Sequence, residues 1–193
     1  FKECYGLTNI TIPLNETRVI YGNKIFNNQS HFNQSFYLPN SIEIINGKEV
    51  EELTSLEIPT TVTSIDENCF YNCEELQQIT IPETVIDIPR FLLMMLYKLE
   101  ELTFSREIAI FEHKIFYVIE NCLYSIPFRS SVKRINAKEF VFKTLKKFTI
   151  PTNVTKLSDF CFSNCEELTE IEGLENIKEF GKGCFYECNK LNR

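Results

Sequence analysis

Histidine and glycine are scarce in this chain, and that scarcity removes whole classes of chemistry. The 193 residues hold 2 His and 6 Gly. The two histidines, His31 and His113, have no nucleophile or acid partner at a comparable offset, so both read as generic loop or surface residues. No Gly-rich phosphate loop, serine elbow or metal-spaced His/Glu motif occurs. The sequence therefore predicts no catalytic residue, no cofactor and no metal site. Long hydrophobic runs are also missing. The longest, Phe91 to Leu96, falls far short of the ~20 residues that cross a bilayer, so no membrane insertion is predicted within this stretch. Basic clusters are absent and the net charge is −7, which opposes binding to phosphate backbones and predicts no nucleic-acid partner. No Gly/Ser linker, charge block or low-complexity tract interrupts the chain, so one domain spanning residues 1–193 is the economical organisation.

What is present is a repeat. Counting from Leu53 in steps of 23 residues lands on Leu76, Leu99, Cys122, Leu145, Leu168 and Leu191. Such a period builds a rod of stacked coils, each burying its apolar side on its neighbours at about 4.8 Å per strand. The best-preserved copies run from Leu53 through Ile58-Pro59 to Cys69-Phe70 and Cys73, and from Leu145 through Ile150-Pro151 to Cys161-Phe162 and Cys165. Alternation at Leu56 and Ile58 has the period of a strand buried on one face, with Ser55 and Glu57 turned outward. Proline then ends the strand, as Pro13, Pro39, Pro59, Pro82 and Pro151 do. An apolar-x-x-apolar step carries the chain to the far side: Ile42 and Ile45, Val62 and Ile65, Val85 and Ile88, Ile108 and Phe111, Val132 and Ile135, Val154 and Leu157, Ile177 and Phe180. The spacing in Asp66–Leu76 and Ser158–Leu168 predicts a helical turn or two there. Each coil thus has one short strand and one short helical segment.

Aligned on the strand-Pro corner, about eight coils start near Leu7, Asn33, Leu53, Leu76, Leu99, Leu123, Leu145 and Leu168. Extra residues are expected to bulge outward. That makes Leu14–Phe32 the candidate protruding loop and Arg90–Tyr97 the next deviation. Phe1–Leu7 aligns with Phe70–Leu76, and Leu191 opens a further copy. The chain is therefore expected to be part of a longer solenoid with partial coils at both ends.

The 8 cysteines look at first like chemistry. Cys69/Cys73, Cys161/Cys165 and Cys184/Cys188 form Cys-Phe-x-x-Cys units, one residue too wide for the usual zinc or redox pair. The second position reads Val50, Cys73, Leu96, Ile119, Phe142, Cys165 and Cys188 from copy to copy. A ligand cannot alternate with leucine, so the thiols are read as small buried hydrophobes. Cys165 and Cys188, like Cys161 and Cys184, lie one coil apart, a separation a disulfide also spans, so their bonding stays open. Cys122 is read as a core substitute for the opening Leu. Phe1, Phe70, Phe116, Phe162 and Phe185, with Leu93 in one gap, form an aromatic stripe at constant phase, which is core spacing rather than a stacking platform. The acidic doublets at Glu51, Glu74, Glu100 and Glu166 recur once per coil and read as a solvated edge. Sequons at Asn9, Asn15, Asn28, Asn33 and Asn153 offer N-glycan sites and point to a secreted or surface protein. Unpaired thiols point to a reducing compartment instead.

The phrase Leu-x-x-Ile-x-Ile-Pro-x-x-Val-x-x-Ile followed by Cys-Phe-x-x-Cys-x-x-Leu resembles the BspA-type leucine-rich repeats, a class found in surface proteins of oral and gut bacteria and of parasitic protists. The resemblance implies a right-handed leucine-rich-repeat solenoid of the α/β repeat kind, with a parallel sheet on one face. It also implies adhesion or other protein binding at the cell surface, without catalytic residues. On that reading a protein partner contacts the outward strand positions: Ser55, Gln78, Glu101, Lys147 and Glu170 in one column, Thr11, Glu57, Thr80, Thr103, Thr149 and Glu172 in the next. No Arg or aromatic anchor is expected among them. Two alternatives stand beside it. One is an intracellular interaction scaffold. The other is a polysaccharide-acting β-solenoid enzyme using Glu57, Glu101, Glu170 and Glu172.

Overall fold

In the computed structural model, residues 7–12, 18–21, 24–27, 31–37, 42–49, 52–71 and 73–191 are described. The chain forms two compact units, Phe1–Ser105 with Ser131–Lys138, and Arg106–Ser130 with Glu139–Arg193.

In the first unit, Ser55–Glu57, Gln78–Ile81 and Glu101–Phe104 pair in parallel, with Ser55 opposite Gln78 and Gln78 opposite Glu101. Each step is one 23-residue repeat. The burial alternates as a one-sided strand requires. Leu56, Ile58, Ile79, Ile81, Leu102 and Phe104 all point into the core. Pro59 and Pro82 follow the strands, and a turn bond from the next apolar residue closes each corner, Val62 N to Pro59 O and Val85 N to Pro82 O. Across the unit, Ser64–Ile65 bridges to Asp87 in parallel, so the far-side step holds for these copies.

The expected helical segment does not form. Asp66–Leu76 is a chain of i→i+3 turns, with Cys69 N on Asp66 O, Tyr71 N on Asn68 O, Cys73 N on Phe70 O and Leu76 N on Cys73 O. Among the described residues, the helices are the 3-10 turns Leu92–Met94 and Leu174–Asn176. The apolar spacing there serves a tight arc that inserts Cys69, Phe70 and Cys73 into the core, too short to nucleate an α-helix.

Two coils differ from the sequence reading in the same way. Arg18–Tyr21, Lys24–Asn27 and His31–Tyr37 form an antiparallel meander, and the last strand joins Ser64–Ile65 in parallel. In the second unit, Ala109–Phe111, Lys114–Ile119 and Cys122–Pro127 repeat that meander, and the last strand joins Lys156–Leu157. The stretch Leu14–Phe32 is therefore not simply a protruding loop. Its Ile25 and Phe26 are fully buried. Parts of it, with Cys4 and the sequons at Asn15 and Asn28, lie outside the described residues.

The meanders shift the register of the coils after them. Cys122 and Leu123 pair with Lys156 and Leu157 on the far side, so Cys122 does not open a sheet strand and the coil placed at Leu123 does not begin there. The next rung beside Glu101 and Leu102 is Arg134 and Ile135. Ile44 and Ile45 likewise pair with Asn9 and Ile10. The steps Ile42/Ile45 and Val132/Ile135 thus do not cross to the far side: the first ends in a three-stranded sheet with Asn9–Ile10, the second in the five-stranded sheet with Glu101–Phe104. Both are followed by a tight turn with left-handed residues, Asn46-Gly47 and Asn136-Ala137. The Asn side chains staple the neighbouring strand end. Ile12 N donates to Asn46 Oδ1 at 2.7 Å and Phe104 N to Asn136 Oδ1 at 2.7 Å.

The second unit pairs Lys147–Thr149 with Glu170–Glu172 on one side and Lys156–Leu157 with Glu179–Phe180 on the other, again in parallel. Its core is aromatic. Phe162 packs against Phe148, Phe116 and Phe185 at 5.0, 5.4 and 5.8 Å between centroids. In the first unit Phe26 meets Phe70 at 6.4 Å, the counterpart of Phe116 on Phe162. Phe70, Phe116 and Phe162 are buried and Phe185 is half-buried. Phe1 lies outside the described residues; Phe70, Phe116 and Phe162 are core, and burying each such ring is worth roughly 3–5 kcal/mol against alanine.

Candidate interaction surface

Each unit has its own outward-facing strand positions. In the first unit Ser55, Gln78 and Glu101 occupy adjacent rungs, and Glu57, Thr80 and Thr103 the rungs of the next column. Thr80 and Glu101 are half-buried and the others exposed. In the second unit Lys147 stands beside Glu170 and Thr149 beside Glu172. Thr11 is exposed just beyond Asn9–Ile10, in a separate three-stranded sheet with Ile44–Ile45 and Lys48–Glu49.

The sheet carries a cation that the sequence reading missed. Arg134 takes the rung after Glu101 and forms an ion pair with its carboxylate. A residue in that column was invisible because a count of 23 from Glu101 reaches Tyr124, which the meander carries into another sheet. Asn136-Ala137, a degenerate copy of Asn46-Gly47, was the available signal.

Lys147 gathers the outward positions of the second unit. Its ammonium lies 2.6 Å from Glu172 and 3.2 Å from Glu170, and Thr149 Oγ1 donates to Glu172 at 2.8 Å. The hydrogen bonds to Glu172 and Glu170 raise the Lys147 pKa, and Lys147 with Thr149 holds the Glu172 carboxyl below the usual range. That is the opposite of the upward shift a general acid needs. Among the described residues the acidic doublets lie at an edge where one carboxylate of three of them also pairs with a lysine, while Glu52, Glu74 and Glu166 are exposed and Glu51 lies outside the described residues. Glu75 pairs with Lys98 at 2.5 Å, Glu167 with Lys190 at 2.5 Å and Glu100 with Lys133 at 2.7 Å.

Cys69, Cys73, Cys122, Cys161, Cys165, Cys184 and Cys188 are free thiols, so neither inter-coil disulfide exists. Cys188 donates to Phe162 O at 3.0 Å. Burial pushes the Cys73 thiol up to about 11 and Cys165 to about 12, and Cys69 and Cys161 further up. These groups are held as neutral thiols, poor nucleophiles and poor ligands. His113 sits in a two-residue turn, its ring 5.4–5.5 Å from those of Phe128, Phe140 and Phe142, with Nδ1 buried and lacking a hydrogen-bond partner. The sequon residues Asn9 and Asn153 are exposed; Asn33 lies in the strand His31–Tyr37 and its side chain is outside the described ones. Among the described residues no helix is long and apolar enough to cross a membrane.

The repeat phase, the parallel rungs and the inward Cys-Phe turns decide the family together with a direct match. The model of the BspA-type leucine-rich repeat region matches in 6 copies, over residues 1–50, 48–159 and 119–193. The chain belongs to the BspA-type leucine-rich repeat family. Among solved structures, it is similar to a leucine-rich repeat protein from Bacteroides ovatus, at 18% identity over 80% of this chain and 40% of that one, with a TM-score of 0.36. The pneumococcal vaccine antigen PcpA is similar at 17% identity over 100% of this chain and 61% of that one, with a TM-score of 0.41. The T. pallidum leucine-rich repeat protein matches at 20% identity over 84% of each chain, with a TM-score of 0.38. The chain thus spans 40% and 61% of the length of the first two. No curated protein matches it.

Proposed function

We propose that this chain is a non-enzymatic protein-binding module of a cell-surface or secreted protein, engaging its partner through the outward strand faces of its units. Membership in the BspA-type repeat family supports the class of function, and the right-handed winding of the coils belongs to the same proposal. The observation that carries it is the set of outward rungs within each unit. Polar and charged side chains stand on every one, and Arg134 beside Glu101 supplies the kind of anchor found at interface hot spots. Asn9 and Asn153 are exposed sequon residues and are the N-glycan sites of this reading.

The test is charge reversal on these faces, Glu57→Lys, Glu101→Lys and Glu172→Lys, with folding checked by circular dichroism. Capture of surface proteins by the triple variant is expected to fall. Unchanged capture removes the strand faces from consideration. The free thiols among the described residues favour a second reading, an intracellular scaffold with the same surfaces. Cell-surface protein whose mass drops after glycan removal argues against that scaffold.

A further inference from the structure

The outer turn at residues 89–97 keeps the path of its neighbour and changes its chemistry. One repeat earlier the inward places are Cys69, Phe70 and Cys73, while Glu67, Asn68 and Glu74 face solvent. In the later turn Leu92, Leu93 and Leu96 fill the inward places. The outward ones become Arg90, Phe91 and Tyr97. Phe91 is 52% and Tyr97 64% exposed, and Tyr71 on the adjoining turn is 56% exposed. The Arg90 guanidinium lies 4.9 Å over the Phe91 ring, and Met94 and Met95 are half-buried between these residues in sequence. Lys98 and Glu75 join the two turns at 2.5 Å.

Outward places that need only to be solvated keep Glu and Asn, as Glu67, Asn68 and Glu74 do one repeat earlier. Arg, Phe, Tyr and Met are the types enriched at protein interfaces, and they contact apolar partner groups. The rim has a definite sign. Glu75 is paired with Lys98, which leaves the exposed Glu52, Glu67 and Glu74 of the adjoining coils as an excess of carboxylates. A partner with basic flanks gains from that rim, and an acidic one is repelled.

We infer that Tyr71, Arg90, Phe91, Met94, Met95 and Tyr97 form a second docking surface, separate from the sheet, for a protein segment with an apolar centre and Lys or Arg at its flanks. A phage-displayed library of random peptides selected on the whole chain tests it. Enriched peptides are expected to combine aromatic or aliphatic residues with excess Lys and Arg. Their binding is expected to fall about tenfold or more on the Phe91→Ser/Tyr97→Ser variant, and severalfold on Glu52→Lys/Glu74→Lys. It is expected to hold on Glu57→Lys/Glu172→Lys, so failure of the sheet reading and failure of this one are distinguishable. These changes are at exposed positions, and matched melting curves confirm that the variants fold. Failure to enrich any peptide, an acidic or neutral consensus, or undiminished binding to Phe91→Ser/Tyr97→Ser overturns the inference. Self-association of the wild type that this variant abolishes, or equal loss of binding to phosphatidylcholine vesicles, also overturns it by naming another occupant.

Discussion

Replacing Lys114 by methionine probes how the second meander joins the turns beyond it. Phe160 N, Phe162 N and Asn164 N donate to Lys182 O, Cys184 O and Tyr186 O of the succeeding turn. One repeat earlier, the equivalent acceptors are the carbonyls of Asp159, Cys161 and Ser163, and the coil that would supply their donors has been replaced by the meander. Two of its side chains stand in. Ser125 Oγ donates to Cys161 O at 2.5 Å, and the buried Lys114 ammonium donates to Ser163 O and to Cys161 O, the latter at 3.3 Å. A methionine keeps the stem and removes the donors. Ser125 still serves Cys161 O, so the main loss is the bond from the charged Lys114 ammonium to Ser163 O, at about 1.5–3 kcal/mol. Hydrogen bonds made by a charged donor lie at the upper end of their range, while relief from burying an ammonium offsets part of the loss. The expected net destabilisation is roughly 1–3 kcal/mol, read as a lower urea midpoint at unchanged m-value. The exposed Lys143→Met is the control and is expected to stay within about 0.5 kcal/mol. Lys114→Met unfolding at the wild-type midpoint refutes the claim that this side chain replaces missing backbone donors.

Ala137, at φ 61°, occupies the place that Gly47 holds in the other turn, and Ala137→Gly is expected to stabilise by up to about 1 kcal/mol in thermal melts. At Gly181 an added Cβ would lie 2.3 Å from the Ser158 carbonyl carbon, so Gly181→Ala is expected to cost about 1–3 kcal/mol or more, while Gly47→Ala, with nothing within 4 Å, costs only the left-handed backbone term. The thiols of Cys73 and Cys165 ionise at an ordinary value of 9.0 when unfolded and at about 11 and about 12 when folded. Their contribution is complete below pH 9, and urea stability is expected to fall above it by up to about 1.4 kcal/mol per pH unit for each thiol until the folded pKa is passed; replacing both with alanine, at a cost in packing, should flatten that limb. Glu172 is shifted down and Lys147 up, so their pairing stabilises between the ordinary carboxylate and ammonium ranges and is lost as pH falls through the Glu172 pKa or rises through that of Lys147.

Much of the coil was legible because its signals are local. Strand alternation at Leu56 and Ile58, the Pro59 corner and the inward Cys69-Phe70 turn each specify themselves within a few residues, and the thiols were read as core because Leu96 and Ile119 share their phase. Asp66–Leu76 misled because three- and four-residue apolar spacing serves a run of tight turns as well as a helix. The second meander escaped detection because Glu112-His113 and Glu120-Asn121 turn the chain without glycine, at left-handed Glu112 and Glu120, and because Leu123 kept the repeat phase while changing sheets. Arg134 was lost with it, since a column drawn by counting cannot see an insertion. Tyr97 was marked only as a deviation in spacing; its exposure is what gives it meaning.

Paired cysteines across the disputed rung measure the register most directly. Adjacent parallel rungs bring Cα atoms within disulfide reach, so Glu101→Cys/Arg134→Cys is expected to cross-link on mild oxidation, identified by peptide mass, while Glu101→Cys/Tyr124→Cys stays open. Cross-linking of residue 101 to 124 and not to 134 contradicts the inserted meander, the rebuilt sheet face and the place of Arg134 on it.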